Sequence, residues 1–145
     1  MLTTATESPL NNLAEVFGQP IHTYTRAQAI EDGMLVDVSE MAREAGFGVA
    51  VALSRAAWLD CVEWTDADSR RQTLQDQSGR LWDVVHMASL AARRNPRGEE
   101  RIAFPVYRVP RGGRGVRPLP TTMQMQIGPG DEGEPVITIM MPGED

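Results

Sequence analysis

TMQMQIGPGDEGEPVITIMM, residues 122–141, decides the fold class. Its opening alternates, with Met123, Met125 and Ile127 on one face and Thr122, Gln124 and Gln126 on the other. A period of two marks a half-buried strand. Pro135–Met141 reads as a second and stronger strand, with Ile137, Ile139 and Met141 on one face and Val136 and Met140 on the other. The intervening GPGDEGE (128–134) is a glycine-rich, acidic loop suited to a wide hairpin. Upstream, Ile102–Val109 also has strand composition, but Pro105 cannot donate to a ladder and confines that strand to an edge or a bulge.

Ahead of these strands the chain reads as helix. Ser78–Arg94 is the longest, with Leu81, Val84, Val85, Ala88, Ala91 and Ala92 along one broad side, the pattern of a helix central to its fold. Asp76, Arg80 and Asp83 are spaced for a surface charge ladder on it. Ser54 caps a helix running to Trp64, in which Ala57 and Cys61 are spaced i, i+4. Asp37 and Glu40 form a capping pattern ahead of a stripe at Val38, Met41, Ala42 and Ala45, and Gly46 stands where a left-handed terminal residue belongs. Thr25 and Gln28 make a similar box for a helix that stops at Gly33. Gly48–Leu53 is the best strand of the first half, and Met34–Val36 reads as a short apolar link. Asp66–Gln77 is very polar, either a solvated helix or a long excursion. The expectation is a flexible tail over residues 1–19 and one α+β domain over 20–145, its helical first half packed on a small C-terminal antiparallel sheet of three to four strands.

Length and composition bound the class of molecule. A chain of 145 residues, 41% hydrophobic and 23% charged, has globular proportions and fits one domain. Its single cysteine, Cys61, rules out an internal disulfide framework and makes a reducing cytoplasm the expected compartment. The N-terminal MLTTATESPLNN lacks the pattern of a secretory signal, and no apolar run reaches the roughly 18–20 residues that cross a bilayer.

Chemistry-bearing motifs are sparse. His22 and His86 are far apart in sequence and Cys61 stands alone, so neither a metal nor a cofactor is expected. Cys61 lies on an apolar stripe, where a thiol is usually inert. GPGDEG lacks the Lys-Ser/Thr of a phosphate loop, and its own acids repel phosphate.

Charge segregation carries more information. Arg93–Arg117 holds eight of the fourteen basic residues, all of them arginine, against only Glu99 and Glu100, a local charge of +6 in a protein of net charge −6. Such an imbalance speaks of partners and not of fold. Arg108, Arg111, Arg114 and Arg117 recur at threes from just before and through the Pro/Gly-rich VPRGGRGVRPLP (109–120), and the first three are candidate contact residues. They could pair with the protein's own acids, with an acidic partner, or with nucleic acid. The sequence pI of about 4.9 and the scarcity of stacking aromatics place nucleic acid last. The opposite charges offer a second surface: Asp60, Glu63, Asp66, Asp68 and Asp76 are the acids that could occupy a basic groove on a nucleic-acid enzyme. Apolar residues on both faces of Pro135–Met141 raise the expectation of a homodimer.

IHTYTRAQAIEDGMLVDVSEMAREAGF (21–47), SGRLWDVVHMASLAARR (78–94) and GPGDEGEPVITIMMPGED (128–145) resemble an uncharacterised family of short proteins carried by phages, plasmids and integrative elements. The chain is also similar to anti-CRISPR inhibitors of type I systems. That resemblance implies a non-enzymatic inhibitor in the bacterial cytoplasm. Its partner would be a host Cas protein, either the recruited helicase–nuclease, which is favoured, or the surveillance complex. The alternative is a nucleic-acid-binding accessory protein of phage or plasmid maintenance that uses Arg93–Arg117.

Overall fold

Pro135–Met140 is apolar on both faces because it is the middle strand of the sheet. The structure is a computed structural model that describes residues 24–144, so the tail expected over 1–19 lies outside the described residues. In chain order come helix α1 (Arg26–Glu31), strand β1 (Leu35–Asp37), helix α2 (Ser39–Glu44) and strand β2 (Ala50–Ser54). Helices α3 (Arg55–Cys61), α4 (Asp66–Arg71) and α5 (Gln77–Arg93) follow, then strands β3 (Arg101–Arg108), β4 (Leu119–Pro129) and β5 (Pro135–Met140). The strands form one sheet in the order β1-β2-β5-β4-β3. Strand β5 runs parallel to β2, with Ile137 opposite Val51 and Ile139 opposite Leu53, and every other pairing is antiparallel.

The fold is α+β, as expected, but two finer expectations need correction. The sheet has five strands and is mixed, where a three- to four-stranded antiparallel sheet was expected. Helix and strand also do not divide between the halves, since β1 and β2 come early in the chain and α5 past its midpoint. The segment read as an apolar link contributes to β1, which pairs Leu35 with Ser54 and Asp37 with Ala52. Asp37 therefore sits in a strand, where its Oδ1 accepts from the Ser39 N–H at 3.1 Å and the Ser39 hydroxyl at 2.6 Å instead of capping α2.

One face of the sheet carries the main core. Val84, Val85 and Ala88 of α5 pack with Val51, Leu53, Phe104, Met123, Met125, Ile137 and Ile139, all buried. On the opposite face Ala52, Val136 and Met140 are buried too. There the Arg26 guanidinium of α1 donates to Thr138 Oγ1 at 2.8 Å and to the Ile137 carbonyl at 2.9 Å. Asp131, in the acidic loop between β4 and β5, accepts the N–H groups of Arg26 at 2.8 Å and Ala27 at 3.0 Å. The acidic hairpin thus secures the first turn of α1, where a carboxylate complements the helix dipole. With both faces of β5 covered inside one chain, the reason given for a homodimer falls away.

Candidate functional site

The polar stretch after Trp64 folds because it caps itself. Thr65 Oγ1 accepts the Asp68 N–H at 3.2 Å, and Asp68 Oδ2 accepts the Thr65 N–H at 2.7 Å. This reciprocal box starts α4 and draws Asp68 into the protein, leaving it 2% exposed. Buried carboxylates need partners. Arg71 on the next turn and Arg111 from the β3–β4 loop supply them, with Arg111 Nε 2.8 Å from Asp68 Oδ2. The Thr65 N–H is the largest influence holding the Asp68 carboxyl down to about 2; Arg111 and the Thr65 hydroxyl add to it, against the opposing effect of burial.

Arg111 also reaches Glu63, 3.0 Å from its Nη1 to Oε2. Arg108 pairs with Asp60 at 3.1 Å. Gln72, at the end of α4, holds the same loop: its Nε2 donates to the Pro110 and Gly115 carbonyls, both at 2.8 Å, and its Oε1 accepts the Gly112 N–H at 2.9 Å. Below them lies Arg80, 4% exposed, with its guanidinium carbon 4.5 Å from the Trp64 ring centre. Arg80 donates to the carbonyls of Val62 and Val109, each at 3.0 Å, and to Gln75 Oε1 at 2.9 Å. The expected surface ladder does not form: Arg80 points inward, and Asp76 caps α5 by accepting the Gly79 N–H at 2.7 Å.

Of the eight candidate contact residues, Asp60 is therefore paired with Arg108, Glu63 and Asp68 share Arg111, and Asp76 is a helix cap. Asp66 and Arg114 are exposed, with no side-chain hydrogen bond among the described residues. The sequence placed Arg80 on the surface instead of beneath the loop, and it gave no sign of Gln72. The Thr65–Asp68 spacing is a local capping signal that the reading of this stretch as a solvated helix or a long excursion did not use, whereas nothing local marks Gln72 as a clamp on a loop some forty residues away.

Bracing the loop leaves its far side open. Tyr107, Val116 and Leu119 are 63%, 54% and 51% exposed. Arg114 and Arg117 stand beside Val116 and Leu119 around a shallow depression of about 420 Å³ that Pro110 and Gly113 help to line. The reactive candidates lie elsewhere in character: burial pushes the Cys61 thiol up to about 12, which keeps it protonated, and His86 is stacked on Trp82 with ring centres 5.5 Å apart. Among the described residues no three His, Cys, Asp or Glu side chains converge as metal ligands. No helix among them is long and apolar enough to cross a membrane.

Fold and surface define an α+β domain that presents a basic hairpin clamped by its own carboxylates. The chain belongs to a family of unknown function, DUF6573, whose profile matches residues 10–145. No curated protein and no solved structure matches it.

Proposed function

We propose that the protein acts by binding, and that the tip of the β3–β4 hairpin is its contact with an acidic patch on a partner protein. One observation supports this above the others. The loop is held by Arg108, Arg111 and Gln72, yet Val116, Leu119, Arg114 and Arg117 remain exposed together around one depression. Arginine is among the residues enriched at binding hot spots, and exposed apolar side chains beside it gain from being covered. A loop already ordered loses less entropy on association. The acids Asp60, Glu63 and Asp68 are engaged within the molecule, which favours the basic tip over acidic mimicry of nucleic acid.

The resemblance to mobile-element inhibitors supplies the first partners to try, the helicase–nuclease and the surveillance complex of a type I CRISPR-Cas system. The tagged protein should retain one of them from purified components, and Arg114→Glu with Arg117→Glu should abolish capture while leaving the circular dichroism spectrum unchanged. Retention of neither component rejects that partner, and equal capture by the double variant moves the contact away from the tip. A short DNA duplex at ~50 mM salt provides the competing arm, because tight binding that falls steeply with added salt would restore the nucleic-acid reading.

A further inference from the structure

A second surface lies on the other side of the arginine segment, where α5 runs beside β3. Met87, Leu90 and Ala91 of the helix and Ile102, Phe104 and Pro105 of the strand line a largely apolar groove of about 290 Å³. It continues past Arg94 and Ile102 into a second depression of about 270 Å³ formed by residues 94–99. The wall of that depression is closed by Asn95, whose amide donates to the Glu99 carbonyl at 2.9 Å and accepts the Glu99 N–H at 3.0 Å.

The strand bordering this groove is an edge of the sheet. The Glu100 carbonyl accepts the Ile127 N–H at 2.8 Å, and Ile102, Phe104 and Val106 continue the same register with Met125, Met123 and Thr121. Even-numbered residues therefore form the ladder to β4, and odd-numbered ones turn their backbone groups outward. Arg101 and Ala103 offer outward N–H groups, while Pro105 has none and closes the edge at that end. No strand among the described residues pairs with this edge. Arg94 and Arg97 stand exposed at the opposite end of the groove, with no side-chain hydrogen bond among the described residues.

We infer that this groove binds an extended peptide from a partner protein, which adds as a sixth strand along Arg101–Ala103. Its alternate apolar side chains enter between Met87, Leu90 and Phe104, and its carboxylates meet Arg94 and Arg97. Backbone pairing would supply much of the affinity and the groove the selectivity, as in other strand additions. The charge argues for an acidic peptide over a second copy of the chain, because pairing β3 with itself gathers the arginines of both copies.

The site is separate from the hairpin tip, and the test keeps the two apart. A displayed library of random seven-residue peptides with free carboxyl ends is selected on the protein, and the winner is synthesised. Alternating apolar residues followed by Asp, Glu or the terminal carboxylate should be enriched. Ala103 is exposed and its N–H points outward, so Ala103→Pro leaves the ladder to β4 intact. That change should weaken the winner about five- to tenfold, the worth of one backbone hydrogen bond. Arg94→Glu with Arg97→Glu should remove the acidic preference, whereas Arg114→Glu with Arg117→Glu should bind as the parent does. Hydrogen exchange on the unaltered protein should show added protection at Arg101 and Ala103. Lack of enrichment, equal binding by Ala103→Pro, protection confined to other segments, or self-association through this edge would each overturn the inference.

Discussion

Asp68 makes the stability of the α4 region depend on acid. Its carboxyl lies at about 2 in the folded chain, against a usual value of 3.8, because the Thr65 N–H and then Arg111 favour the ionised form. A carboxyl whose pKa falls on folding stabilises the fold when ionised. The contribution is complete above the unfolded value and disappears as the pH drops through the folded one. Asp68→Asn keeps the shape and removes the charge. Its urea midpoint should therefore lie below the parent's by a constant amount at neutral pH, and the gap should close between about pH 4 and pH 2. An offset unchanged down to the lower limit would show that Asp68 acts through packing and not through charge. Arg80 marks the limit of reading single residues. Its neighbours Asp76 and Asp83 predict a surface ladder, and only the approach of Val62 and Val109 from other elements explains why it turns inward.

Helix ends were the elements most legible in the sequence, because their chemistry is local. Thr25 with Gln28 and Ser54 cap α1 and α3 as their spacing demands. Gly33 and Gly46 end α1 and α2 at φ of +79° and +109°. The short strand β1 was not legible, since three residues cannot display a period and their strand character comes from pairing with β2. The tip and its brace were half legible: the arginines announced themselves, but the three acids that hold them lie more than forty residues away. Gly46 provides a test at this scale. A Cβ there would stand 2.8 Å from Arg93 Nη2, in a backbone conformation that L side chains rarely adopt. Gly46→Ala should cost about 1–2 kcal/mol from the backbone alone. It should also displace the Arg93 guanidinium from the Ala45 carbonyl, which it now reaches at 3.3 Å. Gly48→Ala, where nothing lies within 4 Å of the added carbon, is the matched control. Equal urea midpoints for the two variants would show that the end of α2 carries no such constraint.

At the scale of the molecule, the last strand in sequence is the central one in space, and this order governs how stability is distributed. Strand β5 joins the β1–β2 pair to the β4–β3 hairpin, and its parallel partner β2 lies more than eighty residues earlier. Such a pairing has no local signature, so the alternating pattern revealed the strand but not its neighbours. The same distance explains the charge split. Folding carries Arg108 and Arg111 to acids from the opposite side of the sequence contrast, which leaves Arg114 and Arg117 exposed at the tip. A sheet joined through β5 should be most resistant to opening there. Amide exchange should be slowest at Val51–Leu53, Met123–Met125 and Ile137–Ile139, and fastest in the loop 110–118 and along the outer edge of β3. Ile139 is fully buried, whereas Leu119 is 51% exposed. Ile139→Ala should lower stability by about 2–5 kcal/mol. Leu119→Ala, at the tip, should stay within about 0.5 kcal/mol of the parent. If β5 exchanged as fast as β3, or if the two variants melted together, the two halves of the sheet would be stable without the strand between them. The reading of the hairpin as a braced arm on a rigid base would fail with it.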